Sequence, residues 1–385
     1  MPSLTPFLLS APWVLGPIVT LLRARHSRSL DDERATPPDE PPLVSLVIPA
    51  RNEARNIRRC VETALQSSYP RLEIIVVDDH STDETGDIVR ELMAGDERLR
   101  VIVPDPLPAG WFGKQWACAS GAAAARGELL GFMDADTWQA PDLVTRTVNA
   151  MESRAADLLS VAGTQALGGF WERIIQPQVF AILLQRYGGT ESVNRSHFAS
   201  QKIANGQCLW VRRAAYDAEG GHAAVREKVA EDLAMAQHFF RAGRTVALVL
   251  GLTQLHTRMY TSLRELVDGW GKNIYAGGRD AMPLGAVGRV VFPLVLLLPA
   301  LFGLAPPIVL ALALLRVLGH DALVWGTIAF GANLVWWLLV YLWLRISPLY
   351  ALLHPLGAAL LLYIAARAIA RGRRVRWKER EYTAA

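Results

Sequence analysis

Residues 44–53, Val-Ser-Leu-Val-Ile-Pro-Ala-Arg-Asn-Glu, and residues 72–83, Leu-Glu-Ile-Ile-Val-Val-Asp-Asp-His-Ser-Thr-Asp, are two β-branched apolar runs, each ending in a polar cluster. Runs apolar on consecutive positions belong to strands covered on both faces, the condition of a parallel sheet. Between them Ile57, Cys60, Val61, Ala64 and Leu65 recur at helical spacing, so the order is strand, helix, strand. This βαβ unit predicts an α/β domain with a mostly parallel sheet, whose ligands gather outside the carboxyl ends of the strands. Both polar clusters fall at that edge.

A third cluster follows the apolar run that ends in Gly131-Phe132-Met133-Asp134-Ala135-Asp136-Thr137. Two residues apart on extended chain, Asp134 and Asp136 point to one side and can meet a divalent cation together. Magnesium or manganese held in this way keeps positions open for phosphate oxygens, which suits the diphosphate of an activated sugar. An isolated Asp-x-Asp is also an ordinary solvated turn, so the pair gains meaning only from its neighbours.

The Ser-Leu-Val-Ile-Pro-Ala-Arg-Asn-Glu opening, Val-Val-Asp-Asp-His-Ser-Thr-Asp, Met-Asp-Ala-Asp and the later Ala230-Glu231-Asp232 occur in an order that resembles family 2 glycosyltransferases of the GT-A fold, over roughly residues 43–280. The resemblance implies a Rossmann-like nucleotide-sugar-binding domain. It implies that Pro49, Ala50 and Glu53 form the first nucleotide-binding loop and that Asp79 contacts the base. Asp134 and Asp136 would then lie at the ribose and the metal, Mg2+ or Mn2+, and Asp232 would be the catalytic base. On pattern alone Asp232 reads rather as an ordinary helix-cap or first-turn acid before Leu233-Ala234-Met235-Ala236, and only the order of the motifs favours the base.

Gly110-Trp111-Phe112-Gly113-Lys114 narrows the resemblance to lipid-modifying members, of the carotenoid or apocarotenoid and hopanoid-associated type. Gly113 lets backbone approach an anion and Lys114 offers a point charge suited to phosphate; a solvated surface lysine is the alternative. Asn205-Gly206-Gln207 resembles the acceptor-side loop of the family, with Gly206 allowing close approach and Gln207 able to hydrogen-bond, and Glu231 stands on the same side. Of the Gln-x-x-Arg-Trp motif of processive polysaccharide synthases only Trp270 is present, in Leu266-Val267-Asp268-Gly269-Trp270, which favours one sugar per acceptor. In related enzymes a His or Arg about two dozen residues beyond the base returns to the site, which marks His256 as a metal ligand and Arg258 as a diphosphate clamp.

Composition sets the surroundings. With 51% hydrophobic residues the chain is too apolar to be wholly soluble, and its longest apolar runs lie at the two ends. Pro6 to Leu22 is an uncharged stretch followed by Arg23, Arg25, His26 and Arg28, so an anchor over 1–28 is expected with that flank in the cytoplasm. Residues 29–42, rich in Pro and acidic side chains, read as an extended linker to a catalytic domain over 43–262. Residues 168–184 read as core or as an interfacial helix, with core preferred, and 263–282 as an interfacial helix region. From 283 to 370 four crossings are expected, the first two short or tilted and divided near Pro306-Pro307, because an even number keeps the basic tail 371–385 inside; Val290 to Leu315 as one long helix, giving three, is the alternative and would put that tail outside.

These readings give a multi-pass protein of the inner (cytoplasmic) membrane that moves a sugar from a UDP- or GDP-sugar to a terpenoid-like lipid acceptor with inversion. A polyprenyl-phosphate sugar synthase and a degenerate nucleotide-sugar-binding membrane subunit are the competing readings. Nucleic acid is not an expected partner, since the net charge is only +4 and the tail arginines follow an apolar segment. Cys60, Cys118 and Cys208 lack CxxC spacing and read as reduced structural thiols.

Overall fold

The computed structural model describes residues 4–280, 282, 285–372, 374–377 and 380–383. Helices are α1 (Thr5–Ala24), α2 (Ile57–Leu65), α3 (Thr85–Met93), α4 (Gly113–Ala124), α5 (Leu143–Ser153), α6 (Phe170–Tyr187), α7 (Thr190–Asn194), α8 (Arg213–Ala218), α9 (Glu231–Arg241), α10 (Leu263–Asp280), α11 (Gly285–Leu314), α12 (His320–Trp343) and α13 (His354–Arg371). Strands are β1 (Val44–Ala50), β2 (Leu72–Asp78), β3 (Leu99–Ile102), β4 (Leu129–Met133), β5 (Thr137–Gln139), β6 (Leu158–Gln165), β7 (Cys208–Arg212), β8 (Val246–Thr257) and the hairpin β9 (Arg374–Trp377) and β10 (Arg380–Thr383). Two compact units result: a helical unit of Met1–His26, Leu167–Ser192 and Tyr260–Gly372, and a sheet unit of Ser27–Ala166, Val193–Met259 and Arg373–Ala385. Of the basic tail, Arg373 and Lys378 lie outside the described residues.

The large sheet of the second unit runs β3-β2-β1-β4-β7-β6-β8-β5. Its first half, β3 to β4, is parallel, as the βαβ pattern requires, whereas β7 lies antiparallel between β4 and β6, and β5 antiparallel to β8. With β6 parallel to β8, four of the seven pairings are parallel, so the sheet is mostly parallel, as expected, with antiparallel insertions at β7 and β5. Helices cover both faces: β2 is buried at every position, and Val47, Ile75 and Val77 face one core layer while Leu46, Ile48, Ile74 and Val76 face the other. Pro49 is tolerated in a central strand because it falls beyond the last β1–β4 pair, Val47 with Phe132, where no ladder donor is needed.

The register sets up the functional edge. Ala50 pairs with Asp78 and Met133 with Cys208, so the chain after β1, β2 and β4 and the chain before β7 all emerge at one rim. That rim is where the strand order reverses about β1.

Residues 29–42 are not a free linker. Leu30 is fully buried in the sheet core, Ser29 caps a short turn over Leu30–Asp32, and Asp31 accepts hydrogen bonds from Thr253 and Gln254 beside β8. Arg146 and Asn149 of α5 donate to carbonyls of Leu30, Glu33, Arg34 and Thr36. These contacts dock residues 29–36, while Asp39 and Glu40 are exposed.

In the helical unit α11 is one continuous helix through Pro293, Pro299, Pro306 and Pro307, so the division expected at Pro306 does not occur. In apolar surroundings, breaking the helix would expose more unpaired backbone than the prolines remove, and a piece beyond Pro307 would be far too short to span. α12 runs back along α11: Gly326 lies against the backbone of Leu310, and Asn333 donates to the carbonyl of Gly303. α1 meets both at the same level, with Trp13 stacked on Phe302, edge-on to Trp325 and donating to the Phe302 carbonyl.

α13 behaves differently. It starts with His354 against Phe330 and Trp337 of α12, passes Gly303 at Ala358, and ends with Arg367 and Arg371 both donating to the carboxylate of Asp268 on α10, at 2.6 and 3.1 Å. α12 and α13 therefore point the same way. α6 packs into this unit too, its Ile174 carbonyl only 2.9 Å from where a Cβ on Gly357 would stand, so that position must be glycine. The stretch expected as catalytic core thus belongs to the other unit. Its buried positions include Glu172, Gln176 and Gln178 beside Ile174, Ile175, Val179 and Ala181, so it presents no single apolar stripe to a sheet face.

Candidate active site

The first two loops of the rim are laced together. The Asp79 N–H donates to the Ala50 carbonyl at 2.8 Å, Arg51 donates to the carbonyls of Asp79 and His80, and Asn52 bonds both Ser81 and Thr82. Asn52 and His80 adopt positive φ, a conformation Asn tolerates through its short polar side chain. The Glu53 N–H donates to Thr85 Oγ1, while its carboxylate accepts from Asn56 Nδ2. This places Pro49, Ala50, Glu53 and the buried Asp79 on one wall.

Asp134 continues β4, its N–H donating to the Gln207 carbonyl at 3.1 Å. Lys114, in the first turn of α4, reaches across with its ammonium 2.7 Å from Asp134 Oδ1 and 2.8 Å from Glu231 Oε1. Burial works against this charge, but the two carboxylates outweigh it and hold the Lys114 pKa well above the ordinary lysine value. Next to Glu231, Asp232 accepts from the Gly206 N–H at 2.7 Å on one oxygen and from the Leu233 N–H at 2.7 Å on the other. Loss of water around Asp232, with the charge of Glu231 adding, pushes its pKa up to about 6. A Cβ on Gly206 would sit 3.1 Å from both Asp232 Oδ2 and Lys114 Nζ, which is why this loop carries glycine. Asp232 is thus a carboxylate with raised proton affinity, held by backbone at the rim, a state suited to accepting a proton near neutral pH.

Other expected residues fall less simply. Gln207 is buried, and its side-chain oxygen accepts from Gln165 and Asn205, so that oxygen orders the loop. His256 pairs with Trp138 across β8 and β5, and its ring stacks on that indole, whose other contact is the Arg59 guanidinium 3.4 Å from the ring centroid. Burial lowers the His256 pKa. Among the described residues no group of three or more His, Cys, Asp or Glu is arranged to hold a metal, so His256 is not brought into a ligand cluster. Arg258 is exposed, with its N–H on the Asp136 carbonyl at 3.3 Å. Trp270 belongs to the helical unit, packed edge-on against Tyr260 and Phe180. Cys60, Cys118 and Cys208 are buried free thiols, each with its pKa pushed up by burial.

Asp134–Asp136 form a turn closed by the Thr137 N–H on the Asp134 carbonyl at 3.1 Å, not the extended chain expected, and Asp134 is already paired with Lys114; the two carboxylates remain hard oxygen donors. That donor set fits Mg2+ or Mn2+, which take one or two protein carboxylates and leave positions for substrate phosphates. Sequence reading missed the Lys114 bridge, because its partners stand 20 and 117 residues away with no periodic relation.

Comparison with known proteins bears on the family and the fold. The model of glycosyl transferase family 2 matches residues 45–219. A 4,4'-diaponeurosporenoate glycosyltransferase from Staphylococcus haemolyticus is 26% identical over 62% of this chain and 63% of its own. One from Staphylococcus aureus is 27% identical with the same coverage. The chain thus spans about 63% of the length of these relatives. A mannosyltransferase from Pyrobaculum calidifontis, solved in complex with GDP-Man and Mn2+, shares the fold with a TM-score of 0.57 over 94% of this chain and 97% of its own at 18% identity.

Proposed function

Because the model of glycosyl transferase family 2 matches residues 45–219 and the fold is shared with a solved mannosyltransferase, we propose that the protein transfers a sugar from a nucleotide sugar to a membrane lipid, with inversion at the anomeric carbon. The observation that carries this reading is Asp232, fixed by two backbone N–H groups beside the Asp134 rim with its pKa raised to about 6. In this reading Pro49, Ala50, Glu53 and Asp79 form the nucleotide wall, Asp134 meets the ribose, and Arg258 meets the diphosphate. Asp136 would hold Mg2+ or Mn2+ with Asp134 beside it, and that ion supplies positive charge to the leaving diphosphate. Asp232 takes the proton of the acceptor hydroxyl as its oxygen attacks, and Gly206 keeps the carboxylate oriented.

A terpenoid acceptor is supported by the two relatives, whose names specify a carotenoid acid. A carboxylate acceptor brings its own charge and needs no base, so the raised proton affinity of Asp232 favours a hydroxyl here. Mass spectrometry of lipids from cells with and without the protein tests this. A hexose-bearing lipid stable to mild alkali is the glycoside expected; an alkali-labile one is an ester, and a polyprenyl-phosphate sugar would replace the reading.

Four helices are long and apolar enough to cross a membrane: α1, α11, α12 and the segment Pro348–Arg371 that contains α13. We place the first three across the bilayer of the cytoplasmic membrane and α13 as a half-span. Were α13 to cross, Arg371 and Asp268 would stand about 30 Å apart on opposite faces; instead they are ion-paired. Three crossings put the sheet unit and the basic tail in the cytoplasm, in keeping with the arginines that follow α1.

A further inference from the structure

The bridge at Lys114 joins parts of the sheet unit that no strand pairing connects. Lys114 opens α4, Asp134 ends β4, and Glu231 begins α9. Its ammonium lies within 2.8 Å of both carboxylates, and its side chain is only 23% exposed. Glu231 is the residue before Asp232, and the position of a Gly206 Cβ is equidistant from the ammonium and from Asp232 Oδ2. Without the cation, Asp134 and Glu231 would be two negative groups facing one gap, and their repulsion would drive the start of α9 from the end of β4.

We infer that Lys114 is a positioning residue that ties the first turn of α9 to the Asp134 end of β4 and so fixes where Asp232 stands relative to the donor. This rests on the glycosyltransferase reading and adds to it, because a lysine in a glycine-bounded turn is otherwise read as a phosphate contact. The two roles separate in kinetics. A phosphate contact acts on donor affinity, whereas a clamp on the base acts on turnover, since displacing a catalytic group by about 1 Å can cost about a hundredfold with binding intact. Arginine keeps a cation and can meet two carboxylates at once; methionine keeps the stem and removes the charge.

The test uses the full-length protein in detergent with Lys114→Met, Lys114→Arg, Glu231→Gln and the double variant Lys114→Met/Glu231→Gln. UDP and GDP affinity in Mn2+ is measured by calorimetry, kcat and donor KM by transfer of labelled UDP- and GDP-hexose to lipid, and thermal midpoint in parallel. Lys114→Met is expected to leave the affinity of whichever diphosphate binds within about threefold while kcat falls by about a hundredfold. Lys114→Arg should recover part of kcat. Adding Glu231→Gln to Lys114→Met should cost less than it does in the wild type, because the repulsion it relieves exists only after the lysine is gone. A loss confined to diphosphate affinity and donor KM overturns the inference in favour of a phosphate contact, and so does strict additivity of the two substitutions in the thermal midpoint. If the wild type transfers no sugar to lipid, the proposed function fails, while diphosphate affinity and the thermal cycle still decide whether the bridge exists.

Discussion

The sheet unit and the helical unit obey different rules of legibility. In the sheet unit, apolar runs of fixed period end in polar clusters, and because strands are pinned by register, the clusters that end β1, β2 and β4 arrive at one rim. In the helical unit, apolar length says that a helix can span but says nothing of its depth or direction. There the decisive contacts are few and long-range: Trp13 with Phe302, Asn333 with Gly303, Arg371 with Asp268. Strand pairing specifies position by backbone; packed apolar helices specify it by a handful of polar side chains.

The sharpest way to break this contrast is all-or-none. Cysteine placed at Val317, between α11 and α12, should react with a membrane-impermeant maleimide added to intact cells, and cysteine at Thr383 should not; labelling of the latter would make α13 a true crossing. Next, Asp136→Asn is expected to lower transfer by about a thousandfold, as loss of charge stabilisation at the leaving group would, with helix content and membrane insertion unchanged. Full activity of that variant, or of the wild type in excess chelator, would remove the metal from the reading.

Asp232→Asn should cost about a hundredfold in transfer to a hydroxyl lipid, with diphosphate binding retained. The sign of the pH dependence follows from the form required. The base works ionised, so kcat should rise as pH rises through about 6 and fall below it; a rate flat from pH 5 to 8 would assign the proton elsewhere. Smaller again, Gly206→Ala should reduce kcat about tenfold, or ~1.4 kcal/mol, since the added methyl presses on Asp232 and Lys114 without emptying the site. Smallest is Asp268→Asn. Its carboxylate is 42% exposed, so loss of its pairs with Arg264, Arg367 and Arg371 should lower stability by about 1 kcal/mol or less; a thermal midpoint that collapses would mean that the latch carries the fold of the whole helical unit.

How far the sequence could be read follows the same division. The βαβ core and the rim with Asp79 and Asp134 were legible because each polar cluster sits where an apolar strand run stops, whereas Asp232, in the first turn of α9, was marked only by the family resemblance. The antiparallel β7 was not, for a strand's own residues do not record its neighbour's direction. Residues 29–42 misled through composition, since prolines and acids are as useful in a docked strap as in a solvated tether. The split at Pro306 misled through parity: a basic tail inside demands an even count after the sheet unit, and α13 meets that demand by turning back instead of by adding a crossing.

The Trp13 contact also sets a clock. The indole N–H of Trp13 is satisfied by a carbonyl 289 residues further along the chain. At synthesis rates of about 5–20 residues per second, α1 is in place roughly 15–60 s before its partner emerges from the ribosome. For that interval the first helix stands without the neighbours it is shaped for, and its indole N–H is without the carbonyl that later accepts it. Biogenesis therefore has a waiting step written into its first twenty residues, closed only when α11 arrives and Trp13 moves onto Phe302.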